Sequence, residues 1–199
     1  MNKLLKLAVL LCFTIAGAEA SAAFTTLAVS VVPPVQFPPS DFDITGLRVS
    51  AIYGHHRDVY GIDIGALGNI TDQDFVGLAL SGGFNITHGT TTILGAQMAG
   101  LFNYNSQKVG VYGVQLAGLA NVNTAESSLI GLQLALLNLA DHTNIYGVQV
   151  GLYNHAASVY GFQVGLINIA NNLHGIQIGL LNFHETGIFG VAPIINVGL

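Results

Sequence analysis

The chain has 199 residues, of which 51% are hydrophobic and only 8% are Asp, Glu, Lys or Arg. Its net charge of −5, with five basic residues, argues against nucleic acid as a partner, because phosphate binding needs clustered Lys and Arg. The small number of basic residues also argues against adsorption to anionic lipid head groups. The low total of charged residues indicates that much of the surface is neutral.

The first 22 residues have the order of a secretory signal peptide. Two lysines precede an apolar run at 7–16, which is followed by small residues. The run is too short to span a bilayer as a helix, so we expect cleavage after Ala20 or Ala22. Cys12, the one cysteine, lies in this segment, and the exported protein would therefore have no disulfide and no cysteine-based metal site.

Residues 23–45 are expected to form a proline-rich capping segment. An apolar stretch at 27–32 is followed by Pro33-Pro34 and Pro38-Pro39, which are incompatible with a regular helix or a central strand. From residue 46 to residue 199 the chain repeats itself, and this part is predicted to be a single β-repeat domain.

The repeat is clearest in YGVQVGLYN at 146–154, YGFQVGLIN at 160–168 and HGIQIGLLN at 174–182. Successive units begin 14 to 18 residues apart along the chain. Repetition at a short period is typical of stacked architectures.

Within a unit the side chains alternate between two faces, as in a strand. Val148, Val150 and Leu152 share one face, which we expect to be sealed inside, and Gln149 lies on the other. The second face should form a neutral, Gly/Gln-rich outer surface with a ladder made by Gln97, Gln115, Gln133, Gln149, Gln163 and Gln177. Units are expected to end in turns at Asn69, Asn85, Asn103, Asn121, Asn138, Asn154, Asn168 and Asn182.

Two all-β architectures fit this pattern: a parallel β-solenoid of about nine to ten short coils, and an antiparallel outer-membrane barrel with one strand per unit. Every unit has the same polarity, with Tyr first and Asn last, whereas antiparallel neighbours would give odd and even units different signatures. Turn lengths also lack the short and long alternation of such barrels. The pattern favours the solenoid, in which like side chains stack at about 4.8 Å.

The G-x-Q-x-G-L-x-N units resemble an uncharacterised group of bacterial envelope proteins that are described as surface-repeat proteins. The resemblance covers 46–199, and the PVQFPP segment at 34–39 and the end of the chain also look like that group. It implies a location in the envelope, and it supplies no catalytic residues. Leu199 stands where we expect an aromatic residue in that group, which argues against a final barrel strand.

Candidate chemistry is sparse. The densest polar cluster, His55-His56-Arg57-Asp58, is interpreted as a solvated turn, because neighbouring strand residues point to opposite faces and cannot hold one metal ion together. Asp63 stands in the glutamine column, where we expect the end of a ladder. The sequence has no pattern of a nucleophile, Walker or calcium-roll motif. We therefore predict no enzyme activity, no cofactor and no metal site.

The sequence predicts an exported protein of the outer membrane, cell surface or periplasm with a structural or interaction role. An envelope protein, a glycan or a second copy of the chain would be its partner, and membrane insertion would follow from the barrel alternative. A small barrel acting as a pore or scaffold and a glycan-binding module are the alternative functions.

Overall fold

The structure is a computed structural model that describes residues 23–89, 91–187 and 190–199. The predicted signal peptide at 1–22, with its cleavage sites and Cys12, lies outside these residues. The described residues form only strands, with no helix. None of them therefore forms a helix long and apolar enough to cross a membrane.

The strands follow one another closely in sequence, and most connections are short. They are β1 (Phe24–Val32), β2 (Val35–Phe37), β3 (Asp43–Ser50), β4 (Tyr53–His56), β5 (Val59–Gly65), β6 (Gly68–Thr71), β7 (Phe75–Ser81), β8 (Phe84–Thr87), β9 (Thr91–Ala99), β10 (Phe102–Asn105), β11 (Val109–Ala117), β12 (Ala120–Asn123), β13 (Ser127–Leu134), β14 (Leu137–Val150), β15 (Tyr153–Val164), β16 (Ile167–His184) and β17 (Val191–Gly198).

Each coil contains a long strand and a short strand that are joined by a sharp bend. The long strands β3, β5, β7, β9, β11 and β13 pair in parallel, and so do the short strands β4, β6, β8, β10 and β12. From β14 to β16, a single strand contains the short part of one coil and the long part of the next. The result is a parallel β-solenoid of about ten turns, which confirms the predicted fold, and the antiparallel barrel alternative is wrong.

Matching residues of successive units lie opposite one another in the sheets. Gly131 is paired with Gly113 and Gly147, and Gln149 is paired with Gln133 and Gln163. The register is constant because every unit runs in the same direction, from Tyr to Asn. Only parallel strands can place all matching residues of successive units opposite one another.

The first glycine of each unit is required by the backbone. Gly147 has a φ of 146°, which L-residues rarely adopt. A Cβ atom at this position would also collide with the carbonyl oxygen of Gly131 in the preceding coil. Close approach of the coils therefore explains why the glycine recurs.

The apolar interior is made by the residue before the tyrosine position of each unit, a column that the sequence did not single out. It includes Ile44, Val59, Phe75, Ile93, Val111, Leu129, Ile145, Val159 and Leu173, each at most 1% exposed. The aliphatic residues that we expected inside point outwards instead. Val148 and Val150 are partly exposed, and Leu152 is 51% exposed.

Both ends of the stack carry extra strands. β1 pairs in parallel with β3 and antiparallel with β2, so the parallel stack begins within the capping segment. β17 runs antiparallel to β16. It closes the last coil at the other end.

Candidate functional site

The six glutamines of the predicted ladder lie in one column inside the stack. All are buried, with at most 3% exposure. Nε2 of each glutamine from Gln115 onwards donates to Oε1 of the glutamine in the preceding coil, over 2.7–3.1 Å. The predicted Gly/Gln-rich outer face is therefore wrong. Buried amides are tolerated here because each satisfies its neighbour in the next coil.

The eight asparagines form a second internal ladder. They lie in the short-strand parts of the coils, not in turns as predicted, and each is at most 2% exposed. Nδ2 of each of the first seven donates to Oδ1 of the asparagine in the following coil, over 2.7–3.0 Å. The donors of this ladder point towards the C-terminal end of the rod, whereas those of the glutamine ladder point towards the N-terminal end.

β17 provides a hydrogen-bond partner for the last amide side chain of each ladder. Nδ2 of Asn196 donates to Oε1 of Gln177 over 3.1 Å, and Nδ2 of Asn182 donates to the carbonyl oxygen of Ala192 over 3.1 Å. The final antiparallel strand therefore caps both amide columns, which would otherwise end in unpaired polar groups.

A buried ion pair occupies the glutamine column near the N-terminal end. Arg48 is fully buried and donates Nε and Nη2 to the two carboxylate oxygens of Asp63, over 2.7 and 2.6 Å. Nη1 of the same residue donates to the carbonyl oxygen of Ile70 over 2.9 Å. Asp63 therefore takes part in a sealed structural contact that a substrate cannot reach.

His56 belongs to this buried cluster, so the interpretation of residues 55–58 as a solvated turn is wrong for this residue. Burial, with a smaller contribution from the Arg48 guanidinium, lowers the pKa of His56 to about 4. The ring is therefore neutral at pH 7, and its Nε2–H donates to the carbonyl oxygen of Pro38 over 3.2 Å. This contact attaches the capping segment to the first coils.

The neighbouring His55 points the other way, as the alternation of strand side chains predicted. Its Nε2 lies 2.8 Å from Oδ2 of Asp72 at the surface. Within the described part of the chain, no three His, Cys, Asp or Glu side chains lie where they could hold a metal ion.

The outer surface of the solenoid is dominated by apolar side chains. At the bend after most of the long strands lies a column that we call the leucine ridge: Leu67, Leu101, Leu119, Leu136, Leu152, Leu166 and Leu180, between 43% and 66% exposed. Beside it, the outward residues of the long strands form further columns, which include Ile62, Ile64, Leu134, Phe162, Val164 and Ile178, between 36% and 47% exposed. Such contiguous exposed apolar surface is unusual in monomeric soluble proteins and typically marks a binding surface.

An apolar groove runs beside the ridge. Two adjoining cavities, of about 510 and 690 Å³, share Ala117 and Gly118 as lining residues, so they form one continuous depression. Small residues such as Gly151 and Gly165 line it together with Leu152 of the ridge. The groove follows the rod axis because the same position of each coil contributes to it.

Charged residues lie at the opposite side of the coil. Apart from the buried pair Arg48–Asp63, the charges of the described residues fall in the connections from a short strand to the next long strand or next to the chain's first and last coils: Asp41, Asp43, Arg57, Asp58, Asp72, Asp74, Lys108, Glu126, Asp141 and Glu185. We call this side the polar edge. The solenoid is therefore amphipathic along its whole length, with the polar edge opposite the leucine ridge.

Aromatic rings also stack between coils. The rings of Tyr146 and Tyr160 lie 4.7 Å apart, and His174 continues the column at 4.6 Å from Tyr160. The histidine at the tyrosine position of this unit therefore stacks as the tyrosines do.

These features define a parallel β-solenoid whose interior contains two amide ladders and an apolar column and whose exterior is largely apolar. No protein-family model matches the chain, and no curated protein or solved structure matches it. The resemblance to bacterial surface-repeat proteins remains a prediction.

Proposed function

We propose that the chain is a non-catalytic structural or interaction protein of the cell envelope that lies lengthwise in a lipid surface. The observation that carries this proposal is the position of the leucine ridge opposite the polar edge. Insertion of the ridge transfers apolar side chains into hydrocarbon and leaves the charged side chains in water.

The direction of the amphipathic pattern fixes the orientation. The polar edge runs parallel to the rod axis, and nine steps of about 4.8 Å give a rod of about 43 Å. An upright rod would place charges such as Lys108 and Glu126 in the hydrocarbon, at several kcal/mol each. A rod that lies in the membrane plane avoids this cost.

The scarcity of basic residues predicts how the lipid contact responds to salt. Head-group attraction needs Lys and Arg and weakens as salt rises, whereas burial of apolar side chains does not depend on such charges. We expect the full chain to float with vesicles of neutral phosphatidylcholine at both low and high salt.

A double substitution tests the ridge directly. Leu152→Glu with Leu166→Glu should reduce the vesicle-bound fraction by at least about tenfold, because each carboxylate costs on the order of 1–3 kcal/mol in an apolar lipid environment. The matched control, Ser158→Glu with Asn172→Glu, adds the same charge to the polar edge of the same part of the rod and should float as the wild type does. Circular dichroism checks that both variants keep their β-structure.

Three results would overturn the lipid proposal. The wild type could fail to float, it could be released by high salt, or the ridge variant could float unchanged. A ridge variant that changes from dimer to monomer, in a chain that does not float, would show that the ridge pairs two copies instead.

The envelope location rests on the predicted signal peptide. The protein purified from the envelope fraction should begin at Ser21 or Ala23, which N-terminal sequencing can establish. An intact Met1 in that fraction would contradict the proposed export.

A further inference from the structure

A separate pocket of about 580 Å³ opens on the polar edge, on the side of the molecule opposite the leucine ridge. Its lining comes from successive coils and includes Lys108, Gly110, Tyr112, Glu126, His142 and Asn144. The pocket does not depend on the proposed lipid contact, because none of its residues belongs to the ridge.

A change in coil length creates the pocket. In one coil, four residues lie between Asn123 at the end of a short strand and Ser128 in the next long strand. In the next coil, three residues lie between Ala140 and Asn144. In the following coil Ala157 alone fills the corresponding connection. The longer connections therefore project beyond the shorter one and leave a recess beside it.

The walls of the recess combine one aromatic ring with polar groups. Tyr112 is 44% exposed, and its ring lies against the backbone of Gly110. A Cβ atom added at Gly110 would lie 3.2 Å from Cε2 of Tyr112. Ser128 of the next coil pairs with Gly110, and both of these small residues line the pocket. The ring therefore covers Gly110, and its exposed part forms an aromatic wall against which a ring-shaped ligand can pack.

The polar groups of the pocket are of mixed type. Lys108 and Glu126 lie two residues before Gly110 and Ser128, which pair with each other, so they occupy equivalent positions in adjacent coils. Among the described residues neither Lys108 nor Glu126 is part of an ion pair. Asn144 adds an amide that can both donate and accept.

We propose that this pocket binds a neutral saccharide. A sugar ring offers hydroxyl groups that donate to a carboxylate and accept from an ammonium or amide group, and its C–H face packs against an aromatic side chain. An anionic ligand would meet one lysine and the Glu126 carboxylate, and an apolar ligand would leave these charged groups without water. The mixed lining therefore selects uncharged polyhydroxylated rings.

Saturation-transfer NMR and calorimetry on the full chain test this proposal with three neutral probes: chitotriose, maltotriose and a galactose trisaccharide. At least one should bind, and Tyr112→Ala should raise its dissociation constant by at least about tenfold. Asn144→Ala should weaken the same probe. Tyr60→Ala is the matched control, because Tyr60 occupies the same outward column three coils away and is similarly exposed at 38%. It should leave binding unchanged.

Absence of binding by all three probes would overturn the proposal. So would equal losses in Tyr112→Ala and Tyr60→Ala, which would place the sugar on the tyrosine column in general. Binding of an acidic oligosaccharide alone, abolished by Lys108→Gln, would show an anion site instead.

Discussion

Replacement of Gln149 by leucine should destabilise the solenoid, although it exchanges a polar side chain for an apolar one of similar size. Gln149 is fully buried, its Nε2 donates to Gln133, and its Oε1 accepts from Gln163, each over 2.7 Å. Leucine makes neither bond, so an acceptor in one coil and a donor in the next lose a partner inside the core. The two losses together cost about 2–6 kcal/mol and the favourable burial of leucine offsets about 2 kcal/mol, so we expect a net loss of about 2 kcal/mol.

The matched substitution at a neighbouring position makes the opposite exchange. Leu152→Gln replaces an apolar ridge residue that is 51% exposed and should change the free energy of unfolding by less than about 0.5 kcal/mol. Urea unfolding followed by far-ultraviolet circular dichroism, with linear extrapolation to water, measures both values. The burial of Gln149 and the exposure of Leu152 would be refuted if Leu152→Gln were the more destabilising of the two substitutions.

Three further predictions concern the glycine column, the buried histidine and the register. Gly147→Ala should cost about 2 kcal/mol or more, measured by urea unfolding, because φ is 146° and a Cβ would strike the preceding coil. The folded-state pKa of His56 is about 4, against 6.5 for an unperturbed histidine, so the unfolded chain binds more protons between these values. Stability should therefore fall as the pH drops from about 6.5 to about 4, by up to roughly 3 kcal/mol, and His56→Gln should flatten this part of the pH profile of unfolding. Cysteines at Tyr146 and Tyr160 should crosslink on mild oxidation, as seen by mass spectrometry, whereas cysteines at Tyr146 and His174, two coils apart, should not.

The parallel stack was predictable because it depends on polarity and period, which are both visible in the chain. Every unit runs from Tyr to Asn, so Gln149 had to pair with Gln133 and Gln163. The alternation of faces was also correct, since Val148 and Val150 do lie opposite Gln149.

Hydrophobicity alone did not predict which face of each strand is buried and which is exposed. The general rule that aliphatic residues are buried assigned Val150 to the interior, but glutamines at the spacing of parallel strands satisfy one another and can be buried together. One signal was overlooked: the residue before the tyrosine position, such as Val159 or Leu173, is always apolar in the clear repeats. The leucine that recurs at most of the bends, such as Leu152, was the corresponding sign of the ridge.

The buried ion pair and the pocket depend on irregularities that a repeat pattern averages away. Arg48 was visible only as one of few basic residues, and its pairing with Asp63 required the register of the first coils. The recess at Tyr112 could not be predicted from the repeat, because it results from a connection that is shorter in one coil than in the coils before it.

The opposite directions of the two amide ladders have an electrostatic consequence for the length of the rod. In an α-helix the peptide dipoles add and leave about half a charge at each end. Here the side-chain dipoles of the glutamine column point against those of the asparagine column, so the two contributions largely cancel in every coil that carries both amides. A coil can then be added to or removed from the middle of the array without a polarisation that accumulates towards the ends. The number of coils is thereby free to change in evolution or by engineering, provided that β17 still closes both columns.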